Sequence, residues 1–217
     1  MKVLIAGSHG NIGRRLTRLL ADAGHEPVAM IRDEAQAQEM RALGGQPLVA
    51  DLAGDVAHTP QGCDAIVFTA GAGPGSGPEP KQVIDRGGAE RLVAAAREHQ
   101  VARYVMVSTV RADDPTSGPE HMVPYFEAKG QADATLAASG LDFTIVRPGR
   151  LTDDPGDGRV AIAPSLPRGG SVTRDDVAAV VAACLERPDT IGWTFELLDG
   201  EVPIHEALDA LTGGQGR

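Results

Sequence analysis

The stretch that decides the fold is "VLIAGSHGNIGRRL", residues 3–16, in which an apolar run leads into Gly7, Gly10 and Gly13. The apolar run predicts a β-strand, and the apolar spacing after the glycines predicts a helix. Glycine lets the intervening backbone approach another group closely, because it has no Cβ and tolerates positive φ. The N–H groups and dipole of the new helix would suit a phosphate. The stretch therefore predicts a phosphate-binding strand–turn–helix unit.

The rest of the chain repeats this alternation of Val- and Ile-rich runs with longer stretches of helical periodicity, which is typical of βαβ units around a parallel sheet. We predict a doubly wound α/β fold with a mainly parallel sheet of about seven strands and helices on both faces. It forms one domain over residues 1–217, with a small C-terminal annex around residues 150–217. The predicted strands are Lys2–Ala6, Pro27–Ile31, Gln46–Ala50, Ala65–Thr69, Arg103–Ser108, Asp142–Arg147 and Thr194–Leu198. The predicted helices are Asn11–Ala23, Glu34–Leu43, Lys81–His99, Pro124–Ser139, Arg174–Glu186 and Ile204–Leu211.

Residues at the element ends agree with this assignment. Glycines stand where C-terminal helix caps are expected, and two pairs resemble N-terminal capping boxes. Two Gly/Pro-rich loops, residues 71–80 and 153–170, are too long for simple connections. Both follow predicted strands, at the sheet edge where ligands bind in such folds. The capping glycines are Gly24, Gly44 and Gly140, and the pairs are Asp33 with Gln36 and Thr173 with Asp176.

Composition excludes several functional classes. The net charge of −10 over 217 residues disfavours nucleic acid and anionic membranes as partners. No apolar run approaches the ~20 residues of a membrane span, and no export leader is visible, so we predict a cytoplasmic protein. Cys63 and Cys184 show no metal-ligand spacing, and we predict no metal site. We expect a small-molecule substrate and a monomer or homodimer.

Seven further segments share their pattern with one known group. They are "MIRD" (30–33), "ADL" (50–52), "AIVFTAGAG" (65–73), "YVMVSTV" (104–110), "YFEAK" (125–129), "DFTIVRPG" (142–149) and "SVTRDDVAAVV" (171–181). Together with the Gly-x-x-Gly-x-x-Gly spacing, they resemble the atypical short-chain dehydrogenase/reductases. These are Rossmann-fold proteins that include NmrA-like, flavin/biliverdin-reductase-like and NAD-dependent epimerase/dehydratase-like members. The resemblance implies a nicotinamide dinucleotide and names no substrate.

The second strand bears on which dinucleotide binds. An acidic residue about 20 residues after the glycines binds ribose hydroxyls, whereas an arginine accommodates a 2′-phosphate. Asp33 is placed to cap the next helix, while Arg32 has no helix role, and its guanidinium matches phosphate oxygens. We therefore predict NADP(H) as the preferred cofactor, with NAD(H) as the alternative.

The resemblance also implies positions for the rest of the dinucleotide. It places Asp51 beside the adenine, Ala70 and Gly71 beside the ribose, and the backbone at Pro148 and Gly149 beside the nicotinamide. His9 either contacts phosphate or faces solvent. The predicted cofactor-binding residues are Gly7, His9, Gly10, Asn11, Ile12, Gly13, Arg32, Asp51, Leu52, Thr69, Ala70, Gly71, Lys129, Pro148 and Gly149.

A candidate catalytic set centres on Tyr125 and Lys129, which are four residues apart and so share one face of the predicted helix. An ammonium about 4 Å away would lower the pKa of a phenol from about 10 toward neutrality. Ser108 ends the fifth predicted strand, where the resemblance implies a hydroxyl that orients a substrate carbonyl. Asp85 stands where relatives carry asparagine, and its carboxylate would oppose Lys129 and raise the pKa of the phenol.

Three functions remain open from the sequence. The first is an NADPH-preferring oxidoreductase that transfers hydride to a small carbonyl, quinone or flavin-like substrate, with Tyr125 as acid/base. The second is a non-catalytic NADP(H)-binding redox sensor or regulator, as the NmrA-like resemblance allows. The third is an epimerase or dehydratase of the sugar-nucleotide type. The Ser108, Tyr125 and Lys129 set favours the enzyme, whereas Asp85 favours the sensor.

Overall fold

A twisted nine-stranded sheet forms the centre of the computed structural model, which describes residues 1–71, 81–167 and 169–213. A short pair of strands, β7 and β9, lies beside it. The strands are β1 Lys2–Ala6, β2 Glu26–Ile31, β3 Gln46–Val49, β4 Ala65–Phe68, β5 Arg103–Val107, β6 Asp142–Pro148, β7 Arg150–Thr152, β8 Arg159–Ala163, β9 Ser171–Thr173, β10 Trp193–Asp199 and β11 Val202–Pro203.

Helices connect most of these strands. They are α1 Asn11–Asp22, α2 Ala37–Ala42, α3 Ala89–Glu98, α4 Val123–Ala137, α5 Arg174–Glu186 and α6 Ile204–Gly213. A π-helical segment, Lys81–Gly88, leads directly into α3, and short 3₁₀ turns precede α2 and α4. Within the described ranges, no helix combines the length and apolar character that crossing a bilayer requires.

The strand order is β3-β2-β1-β4-β5-β6-β10-β8-β11, and every pair from β3 to β10 is parallel. The chain moves outward from β1 to β3 and then returns to β4 on the other side of β1. At such a reversal the loops after the strands diverge and leave a crevice at the carboxyl ends. The topology therefore positions a ligand site above β1 and β4.

Successive side chains of β1 point to opposite faces of the sheet and so belong to two different parts of the core. Val3 and Ile5 pack with residues of α1, α5 and α6. Leu4 and Ala6 pack with residues of α3 and α4. A strand that buries both faces must be apolar throughout, which explains the unbroken run at the start of the chain. The predicted α/β class, with helices on both faces of a mainly parallel sheet, is confirmed.

All seven predicted strands are present, and their ends lie within one residue of the prediction. The count of about seven is nevertheless too low, because the described residues contain eleven strands. Four were missed, and three of these have only two or three residues. The fourth, β8, lies in the predicted loop 153–170 and pairs antiparallel with β10. The other predicted loop lies almost wholly outside the described residues.

Two predicted helices differ locally from the structure. Glu34–Leu43 begins as a 3₁₀ turn, and α2 is only Ala37–Ala42. The predicted helix Lys81–His99 begins as the π-helical segment, which ends at Gly87 and Gly88 before α3 continues. Adjacent glycines lower helix propensity, so this point tolerates a change of helical winding.

The predicted capping residues adopt the expected geometry except for Gln36, which makes no side-chain capping bond with Asp33. Gly24, Gly44 and Gly140 have φ of +80°, +82° and +79°, which is the conformation that ends a helix and favours glycine. The Asp33 carboxylate accepts a hydrogen bond from the Ala35 N–H at 2.9 Å. The Thr173 hydroxyl accepts one from the Asp176 N–H at 3.0 Å and donates to the Asp176 carboxylate at 2.8 Å.

Thr173→Ala is expected to lower the free energy of unfolding by about 1 kcal/mol, because it removes the N-terminal cap of α5. Urea unfolding followed by circular dichroism measures the change. Thr173→Ser keeps the hydroxyl and is the matched control. An equal loss of unfolding free energy in the two variants would show that the methyl group of Thr173, rather than its capping hydroxyl, stabilises the protein.

Candidate active site

A cleft of about 470 Å³ opens above the carboxyl ends of β1, β2 and β4. It therefore lies at the reversal of strand order. Eight predicted cofactor-binding residues line it: Gly7, His9, Gly10, Arg32, Leu52, Thr69, Ala70 and Gly71. Five lining residues were missed by the sequence analysis: Met30, Ile31, Gln36, Ala50 and Ile84. Met30, Ile31 and Ala50 end or follow strands, so the carboxyl-edge rule could have found them.

The glycine turn fits closely against its neighbours. Gly7 has φ of +89°, and a Cβ there would lie 2.7 Å from the Ala70 nitrogen. A Cβ on Gly13 would lie 2.2 Å from the Gly7 oxygen, so α1 can approach the turn only without a side chain at this position. Gly10 is less crowded, since its nearest contact would be 3.1 Å away. Gly7 and Gly13 thus permit close packing, and Gly7 and Gly10 line the cleft.

The first turn of α1 presents backbone N–H groups that have no acceptor within the described ranges of the chain. The first intrahelical bond runs from the Arg14 N–H to the Gly10 oxygen, so the N–H groups of Asn11, Ile12 and Gly13 precede the ladder. Gly10 supplies no side-chain cap, and no acidic residue occupies this turn. An anion such as a pyrophosphate satisfies this kind of helix end. The chain therefore provides the anchor that a dinucleotide needs despite its net negative charge.

Arg32 lies at the outer end of the cleft with its side chain exposed. Its neighbour Asp33 is engaged as a helix cap, as its spacing predicted. Asp51 is not among the lining residues, and its carboxylate accepts a hydrogen bond from the Ala53 N–H at 2.9 Å. His9 lines the cleft and lies 3.0 Å from the Glu39 carboxylate.

A buried polar cluster lies next to the cleft. Lys129 is 2 % exposed, and its Nζ donates to the Val107 oxygen at 2.7 Å and lies 5.6 Å from the centre of the Phe68 ring. Burial lowers the pKa of Lys129, and the carboxylates of Asp85 and Asp133 oppose that shift. Asp85 is itself buried at 1 % exposure and is close enough to Gly71 that a Cβ there would meet its Oδ1 at 3.0 Å.

Tyr125 lies on α4, one turn before Lys129, as predicted. Burial, reinforced by the nearby Asp85 carboxylate, raises the pKa of Tyr125 to about 12, although a hydrogen bond with Thr109 opposes the shift. The expectation that Lys129 lowers this pKa is therefore wrong for this structure. Lys129 directs its ammonium to a backbone carbonyl, while the carboxylate that the sequence analysis flagged raises the pKa of the phenol.

Asp133 completes the polar face of α4 and was missed by the sequence analysis. It follows Lys129 by four residues, and this spacing could have identified it. Its carboxylate accepts from the Arg147 Nε at 2.9 Å. Burial raises the pKa of Asp133, while Ser108 and Arg147 oppose the shift. Asp133 interacts with Ser108, Tyr125 and Lys129, and Asp85 interacts with Tyr125 and Lys129. The predicted catalytic residues Ser108, Tyr125, Lys129 and Asp85 therefore belong to one cluster.

The remaining predicted cofactor residues lie at the next strands along the same edge. Pro148 ends β6 and accepts a hydrogen bond from the Val110 N–H at 3.1 Å. Gly149 lines a second cavity of about 290 Å³ rather than the first cleft. In the described part of the chain, no group of three or more His, Cys, Asp or Glu side chains is arranged to hold a metal ion.

The sequence and fold are similar to those of several known proteins. A family model described as NAD(P)H-binding matches residues 7–188. A Bacillus subtilis protein named as an uncharacterized sugar epimerase, YhfK, is 41% identical over 97% of this chain and 100% of its own length. A Bacillus halodurans structure, named as a proposed NAD-dependent epimerase/dehydratase, has a TM-score of 0.94 and 41% identity over 97% of this chain and 100% of that one. The structure of the oxidoreductase ylbE from Lactococcus lactis has a TM-score of 0.87 and 26% identity over 98% and 97% of the two chains.

Proposed function

Because the chain belongs to the NAD(P)H-binding family, we propose that it is an NADPH-preferring oxidoreductase that reduces a small carbonyl compound, with Tyr125 as the proton donor. One observation carries this proposal. The phenol of Tyr125 is held in its protonated form by burial and by Asp85, which in turn lies against Gly71 of the dinucleotide cleft. The phenol therefore carries its proton at neutral pH, and it can donate that proton once the carbonyl oxygen becomes strongly basic during reduction.

The residues of the cleft fit a nicotinamide dinucleotide. The unpaired N–H groups at the start of α1 would hold the pyrophosphate, and Arg32 would contact a 2′-phosphate. When bound there, such a dinucleotide would supply hydride for the carbonyl carbon. Tyr125 transfers its hydroxyl proton to the carbonyl oxygen, which becomes more basic than a phenolate as it gains negative charge. Solvent then returns a proton to the phenol.

The size of the second cavity supports a small substrate. Its volume of about 290 Å³ lies at the lower limit of ligand pockets, which span roughly 300–1,000 Å³. It lies after β5 and β6, whereas the first cleft lies after β1 and β4. A dinucleotide and a substrate would thus share one edge of the sheet. Lys129 of the Tyr125 cluster lies where these two sites would meet, against Phe68 at the end of β4 and Val107 at the end of β5.

The direct test mixes the protein with NADPH and a panel of aldehydes, quinones and flavins, and follows absorbance at the nicotinamide band. Steady oxidation of NADPH that requires Tyr125 is the expected result. Tight NADPH binding without turnover would instead favour the redox sensor. Flavin reduction that does not require Tyr125 would contradict the proposed role of the phenol.

An epimerase is the second candidate, favoured by the name of the Bacillus subtilis relative. An epimerase returns the hydride to its own substrate, so it needs only catalytic amounts of dinucleotide. Inversion of a sugar-nucleotide stereocentre without net NADPH oxidation would identify this activity. Stoichiometric oxidation of NADPH by a carbonyl substrate would exclude it as the sole activity.

Arg32→Gln is expected to weaken NADPH binding by about tenfold or more and to leave NADH binding unchanged. The reason is that a charge-assisted contact to the 2′-phosphate is lost, whereas NADH lacks that phosphate. Isothermal titration with each nucleotide measures both affinities.

Arg41→Gln is the matched control. Arg41 is a nearby exposed arginine on α2 that does not line the cleft. An equal loss of NADPH affinity in both variants would indicate a general charge effect and remove Arg32 as the selective residue.

A further inference from the structure

Two arginines line the second cavity, which lies above the ends of β5, β6 and β10. They are Arg111, in the loop after β5, and Arg150, at the start of β7. Within the described ranges, neither guanidinium has a carboxylate within 4.0 Å. Arg147 on β6, by contrast, is paired with both Asp133 and Asp113. The cavity therefore concentrates positive charge in a protein whose net charge is −10.

Arg111 is held in an unusual conformation. Its φ is +69°, a left-handed value that is uncommon for residues other than glycine, asparagine and aspartate. Its Nε is buried and has no hydrogen-bond partner among the residues that the structure describes. Strained backbone and unsatisfied buried donors both cost stability, and they tend to persist at functional sites. Because Arg111 also lines the cavity, a ligand there that accepts hydrogen bonds would meet a guanidinium that no described carboxylate neutralises.

The other walls of the cavity are fixed by close packing. A Cβ on Gly149 would lie 2.3 Å from Leu198 Cδ2, and one on Gly170 would lie 2.9 Å from Leu198 Cδ1. Among the described residues that line the cavity, Glu196 is the one acidic side chain, and its Oε2 already accepts from the Leu166 N–H at 2.7 Å. The two guanidiniums thus outnumber the single carboxylate, whose oxygen is hydrogen-bonded within the protein.

We infer that this second cavity is an oxyanion subsite in which Arg111 and Arg150 bind a carboxylate group of the substrate. Planar guanidiniums match the two oxygens of a carboxylate, and such charge-assisted bonds are stronger than neutral ones. The inference rests on the proposed function, because it defines the substrate as a small carbonyl compound that carries a carboxylate. The carboxylate would anchor one end of the molecule, while its carbonyl faces the dinucleotide.

The experiment compares benzoate with benzamide, which has the same shape without the charge. Ligand-observed NMR titration measures the two dissociation constants on the intact protein, with no dinucleotide present. We expect benzoate to bind about tenfold more tightly than benzamide. Arg111→Asn and Arg150→Gln should each reduce this preference severalfold. Asparagine tolerates left-handed backbone, so the first variant should fold, and Arg150 is exposed, so the second should fold as well.

Arg97→Gln is the control, because Arg97 is exposed near the end of α3, away from the cavity. It removes the same charge and should keep the preference for benzoate. Equal binding of the two probes, or a preference that survives in both cavity variants, would overturn the subsite. So would an equal loss of the preference in Arg97→Gln.

A kinetic readout separates this inference from the proposed function. NADPH oxidation with 4-carboxybenzaldehyde should show a kcat/KM about tenfold above that with benzaldehyde, and Arg150→Gln should remove the difference. Oxidation of both aldehydes at equal kcat/KM would overturn the subsite and leave the reductase. A preference for benzoate in a protein that binds no nicotinamide nucleotide would leave the subsite and overturn the reductase.

Discussion

Tyr125→Phe is expected to lower kcat for carbonyl reduction by about 10²- to 10⁴-fold, since this is the contribution of a positioned proton donor. The affinity for NADPH should stay within about twofold of the unsubstituted protein's, because Tyr125 is not among the residues that line the dinucleotide cleft. Single-turnover kinetics with preloaded NADPH would measure the chemical step, and titration calorimetry would measure the affinity.

Tyr104→Phe is a matched control, since Tyr104 and Tyr125 are the two tyrosines of the chain. Tyr104 is fully buried in β5, and its hydroxyl has no hydrogen-bond partner among the described residues. Removing a hydroxyl from such a site should be neutral or slightly stabilising. Turnover that fell equally in both variants would point to a packing effect and would contradict proton donation by Tyr125.

The pH dependence follows from the sign of the shift. Because the pKa of Tyr125 is raised to about 12, mainly by burial, its protonated form predominates at every lower pH. A proton donor in this state should give a kcat that shows no descending limb from the phenol between about pH 6 and 10. A fall in kcat with rising pH near pH 7 that disappears in Tyr125→Phe would contradict the raised pKa of Tyr125. It would indicate instead that Lys129 acts as the sequence first suggested.

Gly13→Ala is expected to weaken binding of NADPH and NADH by more than about 100-fold and to lower the free energy of unfolding by about 1–3 kcal/mol. A methyl group there would meet the Gly7 oxygen at 2.2 Å and two atoms of Ser8 at 2.6 and 2.7 Å. All three are backbone-level contacts that cannot rotate away, so α1 must shift from the turn. The N–H groups at its start would then no longer converge on one phosphate. Calorimetric titration and urea unfolding report the two effects.

Gly24→Ala controls for the loss of glycine itself. Gly24 has φ of +80°, but nothing lies within 4 Å of a Cβ placed there. This variant should cost about 1 kcal/mol of stability through its backbone and leave nucleotide affinity intact. If Gly13→Ala also bound NADPH normally, the close approach of α1 to the turn would not matter for binding.

Long, strongly patterned elements were predictable, because burial on both sides of a parallel sheet requires unbroken apolar runs such as that of β1. The strand β8 was not, since its pairing with β10 depends on a distant partner rather than on its own five residues. The π-helical segment that ends at Gly87 and Gly88 could not be predicted either, because helix propensity does not specify which hydrogen-bond spacing a weak helix adopts.

The candidate site was predictable where a residue's role is local. The capping role of Asp33 and the glycine turn follow from short-range geometry. The pKa of Tyr125 was not, because it depends on burial and on Asp85, which is forty residues away in the chain. Asp133 was within reach of the helical spacing, whereas its partner Arg147 comes from β6 and needed the folded sheet to be seen.

The bare first turn of α1 links cofactor supply to the lifetime of the protein. With neither a capping side chain nor an acidic residue, this helix end offers N–H groups that a diphosphate would satisfy. A ligand that binds only the native state shifts the folding equilibrium in proportion to its concentration. Molecules that carry nucleotide should therefore resist proteases longer than empty ones, and depletion of the nucleotide pool would shorten their survival.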